Sequence, residues 1–174
     1  MTLTSENIKL RALEPEDISI LYEWENQADH WLDSQTLHPY SKYLLNQYIE
    51  NASYDIFQMK QLRLVIVLKI NNQSIGFVDL FDLDLKNSRV ALGILIGEES
   101  FKNKGYASEA IQLMIQYAFK TLNLNQVYAH VVANNKVSLQ LFKKNGFEKT
   151  MVKKDWVQIN HQFLDVNLYQ IFKS

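Results

Sequence analysis

Apolar positions along the chain follow two rhythms, one of period two and one of period 3.6, and they predict an ordered alternation of strands and helices. Ile8-Lys9-Leu10-Arg11-Ala12-Leu13 alternates and reads as a strand. Glu14-Pro15-Glu16-Asp17 is a helix start, with proline in the first turn and acids at the positive end. Ile18, Leu21 and Tyr22 follow at helical spacing, so that helix should end near Asn26. Residues 27–40 are irregular and aromatic. Trp24 just before it, with Trp31 and Tyr40 in it, could line a pocket or serve as core and hinge packing. Ser41 is a candidate N-cap for a second helix carrying Leu44, Leu45, Tyr48 and Ile49.

From Leu62 the pattern is β. Strands are predicted over Leu62 to Ile70, Ser74 to Leu83 and Ser88 to Ile96, with turns at Asn71-Asn72 and Asp84 to Asn87. A helix follows with Ala107, Ala110, Ile111, Met114, Ala118, Phe119 and Leu122 on one stripe. Asn125 to Ala133 is a strand and Lys136 to Lys144 a short helix stopped at Asn145-Gly146. Phe147 to Trp156 and His161 to Phe172 form a closing hairpin turned at Gln158-Ile159-Asn160. The order β-α-α-β-β-β-α-β-α-β-β predicts an α/β fold with a mixed sheet. The strands before and after the long helix should be parallel, because a crossover joins them.

Composition narrows the class. The 174 residues, 47% hydrophobic and 21% charged, predict one domain spanning 1–174 with a sizeable core. A formal net charge of −1 argues against bulk capture of nucleic acid or an anionic membrane. There is no cysteine, which excludes disulfides, thiolate metal sites and a cysteine nucleophile. The start Met1-Thr2-Leu3-Thr4-Ser5-Glu6 carries neither a basic nor an apolar targeting segment, and no apolar run reaches membrane-spanning length, so a cytoplasmic protein is expected. His30, His38 and His161 lack metal-site spacing, and no metal is expected.

Three of the five glycines, Gly93, Gly97 and Gly105, fall in one short window. Lys102-Asn103-Lys104-Gly105-Tyr106-Ala107 lies there, between a strand and the best helix of the chain. The first turn of a helix presents unpartnered N–H groups and partial positive charge, and glycine lets the backbone approach a ligand closely. The stretch therefore suits a phosphate, although an ordinary strand-to-helix connection has the same local pattern. It is neither a P-loop nor a dinucleotide fingerprint, since both glycine patterns are absent.

The same stretch resembles the acyl-CoA loop of the GNAT N-acetyltransferases, Gln/Arg-x-x-Gly-x-Gly/Ala, with Lys102 in the first position and Gly105 and Ala107 in the others. A second stretch, Asn135 to Phe147, resembles that family's Asn-x-x-Ala/Ser-x-x-x-Tyr/Phe-x-x-x-Gly-Phe segment through Asn135, Ser138, Phe142, Gly146 and Phe147. The resemblance covers essentially the whole chain and is nearest to the branch of ribosomal-protein, polyamine and small-amine acetyltransferases. It implies a GNAT fold in which the strand before the loop and the strand after the helix splay apart. It also implies acetyl-CoA as co-substrate. The pantetheine arm would lie along Ile94, Leu95 and Ile96, and the pyrophosphate on the N–H groups of about residues 103–108. Lys102 and Lys104 would screen its charge, Ser108 would add a hydroxyl contact, and Asn135, Ser138 and Phe142 would lie beside the cofactor.

The implied reaction is direct attack of a primary amine on the acetyl thioester; a polyamine, a small amine and a protein N-terminus are all candidate acceptors. A lysine-like amine must first lose a proton, which costs about 4 to 5 kcal/mol at neutral pH, so a base is wanted. His130 is the first candidate, on a strand five residues before Asn135; a histidine simply satisfied on a sheet is the alternative. Asp79, Asp82 and Asp84 are rivals, able to take a proton, to bind a cationic amine, or to form an ordinary polar edge. The position where many relatives have a tyrosine acid is Phe142, which has no proton to give. Ser138 and Tyr128 are the fallbacks. A non-catalytic CoA-binding module stays open as the other reading, and the hairpin from Phe147 to Phe172 offers a homodimer surface.

Overall fold

The computed structural model describes residues 2–27, 38–51, 55–159 and 161–174. His30 and Trp31, both singled out above, lie outside the described residues. Twelve elements organise the rest. β1 is Ile8–Ala12, α1 Ile18–Glu25, α2 Lys42–Asn51 and α3 Ile56–Met59. β2 is Leu62–Leu68, β3 Ser74–Asp84 and β4 Arg89–Ile96. α4 is Tyr106–Gln116, β5 Gln126–Val132, α5 Lys136–Lys144, β6 Glu148–Ile159 and β7 Gln162–Phe172. The seven strands form one sheet in the order β1-β2-β3-β4-β5-β7-β6. β4 and β5 are its parallel pair, and every other neighbouring pair is antiparallel.

Local chemistry explains several boundaries. The Ser41 hydroxyl accepts from the Leu44 N–H at 3.1 Å and caps α2, as expected. Asn72 takes φ 57° in the β2–β3 turn, and β2 stops at Leu68, leaving Ile70 91% exposed. α3 escapes the hydrophobic pattern because it is so short; Asp55 defines it by accepting from the N–H groups of Phe57 and Gln58. The apolar stripe after Gly105 does not run as one α-helix. The α-helical part ends at Gln116, and a π-helical turn over Tyr117–Thr121 carries the stripe on. β6 continues to Ile159, so the last hairpin turns later than Gln158; two bulges, after Lys149 and after Lys153, absorb the extra length.

The sheet buries both faces. Leu64, Ile66, Val78, Leu80, Leu92, Val127, Ala129 and Val131 pack with Ala110, Ile111, Met114 and Phe142 from α4 and α5. On the other face Val65, Val67 and Phe77 pack with Leu21, Trp24, Leu45 and Ile49 from α1 and α2. Burying side chains of this size contributes roughly 1.5–3 kcal/mol each. Among the described residues no helix is long and apolar enough to cross a membrane.

Gly97 closes β4 under the Trp24 indole, and a Cβ there would stand 2.1 Å from the ring. Trp24 is thus core, at 2% exposure. We expect Gly97→Val to destabilise the fold by about 3 kcal/mol, read as a lower urea midpoint followed by Trp fluorescence. Gly105→Ala, which meets no atom within 4 Å but sits at φ 90°, should cost about 1 kcal/mol.

Candidate active site

β4 and β5 pair only at Arg89 with Gln126, Val90 with Val127 and Ala91 with Tyr128. Beyond that point β4 continues against β3 and β5 against β7, so Leu92–Ile96 and Ala129–Val132 face each other without pairing. The Gly97 N–H donates to the Ile75 carbonyl at 2.9 Å, and the Ser88 carbonyl accepts from Gln126. Alternation along the strand then turns the N–H and C=O groups of Ile94 and Ile96 into the gap. Those of Leu95 turn to β3, opposite Phe77. Of the three residues expected along the pantetheine arm, Leu95 has its backbone turned to β3, and its side chain is among those lining the opening.

The gap opens into a cleft of about 1140 Å³. Ile94, Leu95, His130, Asn135, Ser138 and Phe142 line it, as do Asp79, Asp82, Asp84, Lys153 and Trp156. The structure thus brings together residues that stand as far apart in the sequence as Asp79 and Trp156. Asn135 caps α5, its Oδ1 accepting from the Ser138 N–H at 3.0 Å. Phe142 is 4% exposed and meets Phe147 edge-on, ring centres 5.1 Å apart, at the base of the splay.

The loop 102–105 is outside the lining of this cleft. Asn103 and Gly105 both take positive φ, 60° and 90°. Among the described residues the N–H groups of Asn103, Lys104, Gly105, Tyr106, Ala107 and Ser108 donate to no backbone carbonyl; Glu109 is the first residue of α4 to do so, to Gly105. Two side chains are committed otherwise than expected. The Lys102 ammonium pairs with Glu99 at 2.7 Å. The Ser108 hydroxyl accepts from Asn145 Nδ2 at 3.0 Å, joining α4 to the end of α5 rather than turning to the loop. Lys104 lies over the Phe101 ring at 5.9 Å, and Tyr106 packs on the core.

The acids separate once their partners are seen. Asp79 is opposite Arg63 across β2 and β3, and the Arg63 fork donates Nε to Asp79 Oδ1 at 2.6 Å and Nη2 to Oδ2 at 2.9 Å. The third arm of Arg63 pairs with Glu25 at the end of α1. The guanidinium lies 5.4 Å from the Tyr48 and Phe77 ring centres. Despite its burial, Arg63 is held firmly charged by these two acids. Burial pushes the neighbouring Tyr48 phenol up to about 12. This hub has no counterpart in the sequence motifs; the only signal was an Arg at a core-facing position of a strand. Gly93 completes the row beside Asp79, and its missing side chain keeps the floor open, since a Cβ would press on Phe81 at 3.3 Å.

Asp84 is also partnered, by Arg89 at 3.1 Å and by Asn87, which hold it below the ordinary aspartate value, the Asn87 hydrogen bonds first. The Asp82 carboxylate makes neither a hydrogen bond nor an ion pair among the described residues. It sits at φ 51° in the bulge that interrupts the β3–β4 register between Phe81 and Asp84. Its charge is felt by both Tyr128 and His130. Those two rings meet edge-on at 5.5 Å. Partial burial, then the Lys153 charge, hold the His130 imidazole below the ordinary histidine value, against the pull of Asp82. Tyr128 is pushed up by burial, with Asp82 adding to it. Among the described residues no group of three or more His, Asp or Glu side chains could hold a metal ion.

A parted parallel pair with an open helix N-terminus beyond it is a specific arrangement, and it agrees with the sequence comparison. Residues 7–148 match the acetyltransferase (GNAT) domain model. The chain belongs to the GNAT acetyltransferase family. It is an N-acetyltransferase, 29% identical to uncharacterized N-acetyltransferase p20 of Bacillus licheniformis over 99% of this chain and 96% of that one. It is 26% identical to the spermidine N(1)-acetyltransferase of Vibrio cholerae over 98% of this chain and 95% of the relative. The crystal structure of a spermidine N-acetyltransferase from Vibrio cholerae in complex with CoA and spermine superposes with a TM-score of 0.85 at 25% identity, covering 95% of each chain. The splayed mixed sheet expected from the sequence is the one observed.

Arg63 is the electrostatic keystone of this GNAT site, with side-chain exposure of only 17%. Arg63→Ala leaves Glu25 and Asp79 facing each other and should cost about 3 kcal/mol in a urea melt, as for other broken buried pairs. Retention of wild-type stability would show that the two acids are adequately solvated from the cleft.

Proposed function

We propose that the protein transfers the acetyl group of acetyl-CoA to a primary amine of a small cationic acceptor of the polyamine class. The observation that carries this reading is the unpaired inner edge of β4 at Ile94 and Ile96, continuous with the unpartnered N–H groups of residues 103–108. An extended amide-bearing arm needs such an edge, and a pyrophosphate needs such a helix start. The polyamine class is supported by the spermidine acetyltransferases among the relatives and by the uncommitted carboxylate of Asp82 in the cleft.

In this reading Ile94 and Ile96 hold the pantetheine arm by their backbone, while Asn135, Ser138 and Phe142 line its other side. Lys104 screens the pyrophosphate, and Lys102 does so after releasing Glu99. An imidazole nitrogen of His130 takes the proton that the attacking ammonium must lose, directly or through water. Asp82 attracts the acceptor's charge to the same corner. The Ile94 N–H is placed to stabilise the oxyanion of the thioester carbonyl. Phe142 gives no proton to the departing thiolate; a thiol of ordinary pKa, about 8.5, leaves tolerably without one, and Ser138 and Tyr128 are the fallback donors.

Thiol release from acetyl-CoA with spermidine, spermine, single amino acids and N-terminal peptides tests the acceptor. The expected order puts the polyamines first; preference for peptides would move the acceptor to protein N-termini, and CoA binding without any release would leave a binding module. Gly105→Gln should fold and bind CoA about tenfold more weakly by calorimetry, a loss of about 1.4 kcal/mol.

The pH dependence follows from the sign of the His130 shift. The base works when neutral, and its pKa is lowered from the ordinary 6.5. The acid limb of kcat/KM should therefore lie below pH 6.5 and vanish in His130→Gln. An unchanged limb in that variant would assign the base elsewhere, first to Asp82.

A further inference from the structure

Three lysines line the cleft, Lys60, Lys86 and Lys153. Lys60 and Lys86 are exposed, on the approach to β2 and in the β3–β4 turn. Lys153 is half-buried on β6 and opposes Val166 of β7, which in turn opposes Val132 of β5. Opposed residues share a face of the sheet, so Lys153 stands on the face that carries His130, two residues before Val132. The bulge after Lys153 and the φ of 48° at Asp155 turn Trp156 to the same side. The Lys153 ammonium rests 4.5 Å from the Trp156 ring centre, and it is close enough to His130 to disturb its titration.

The neighbouring lysine shows the contrast. Lys154 is 79% exposed and donates to Asp165 at 2.9 Å, and that hydrogen bond raises its pKa. No carboxylate lies within ion-pair distance of Lys153 among the described residues. A primary amine on a flexible stem thus faces the candidate base from the wall opposite Asp82, held by an aromatic face and by no anion. That is what an acceptor amine requires.

We propose that Lys153 is an internal acceptor and that the enzyme acetylates its own Lys153 side chain when no free amine is supplied. The inference rests on the acetyl-CoA reading above. The Lys153 ammonium gives one proton to His130 or water, and its free Nζ attacks the acetyl carbonyl carbon. The C–N bond forms, the C–S bond breaks, and the second proton lost from nitrogen accompanies the thiolate, leaving an N-acetyl-lysine, free CoA thiol and one net proton. Acetylation removes a positive charge beside His130 and frees the Trp156 ring for the cation of a diffusible acceptor.

The test incubates the intact protein with acetyl-CoA alone and follows mass with peptide mapping, beside thiol release with spermidine on the same preparation. The expected result is a single added acetyl group mapped to Lys153. It should form at a fractional rate independent of protein concentration, slow down when spermidine competes, and be lost in Lys153→Arg, which keeps the charge. Lys154→Arg should acetylate as the wild type does. With acetyl-CoA held well below saturation, acetylation that persists in Gly105→Gln at the wild-type rate would be uncatalysed chemistry and would overturn the proposal, as would mapping to Lys154 or a rate that rises with protein concentration. Release with spermidine and no mark on Lys153 overturns this inference alone. No release with any amine and no CoA binding overturns the function on which it rests.

Discussion

Everything in this protein turns on the end of one pairing. β4 and β5 are hydrogen-bonded through Ala91 and Tyr128 and then part. A sheet tolerates that only if something else satisfies or covers the exposed backbone groups, because unpaired N–H and C=O groups in a dry interior are costly. β3 and β7 hold the outer edges of the two strands, so the inner edges are free without loss of the sheet. Phe142, from the helix after β5, is buried at the wall of this opening. The same packing that would ordinarily complete a core here borders a slot.

One buried cation organises the electrostatics on the opposite side of the cleft. Arg63 ties α1, β2 and β3 together through Glu25 and Asp79. Two carboxylates that would otherwise repel are neutralised in part, and their geometry is fixed by a planar fork. Asp84 is likewise satisfied on the surface by Arg89 and Asn87. The three aspartates thus divide into two that are paired and one, Asp82, whose side chain has no partner among the described residues. The unusual φ of Asp82 is a consequence of the bulge that turns it out of the β3–β4 ladder.

The chemistry proposed for the cleft places the anchoring and reacting groups on different elements. The helix start of α4 serves the cofactor's charged end, β4 its extended arm, and the wall of β5, β7 and β6 the proton and the acceptor. Such a division explains why a phenylalanine at position 142, with no proton to give, need not disturb binding. It also explains why Lys153, remote in sequence from every motif, shares a cleft with His130.

The sequence by itself determined the order of elements, the parallel crossover, the glycine at the start of α4 and the two motif stretches that mark the family. These are local: a residue's spacing, its φ preference or its missing Cβ carries them, so they survive in one dimension. The short α3 helix and the π-helical turn after Gln116 escaped because their cause is a single cap in one case and packing in the other. Only the tertiary structure decided which charges are spent and which are free. Asp79 and Asp82 look alike three residues apart in the sequence, yet one is locked to an arginine from another strand and the other is not. Ser108 is a candidate phosphate contact in the sequence, and only the fold shows that its oxygen already accepts from Asn145 at the far end of α5. Charge pairing and hydrogen bonding depend on distances between elements that are far apart along the chain, and the fold alone sets those distances.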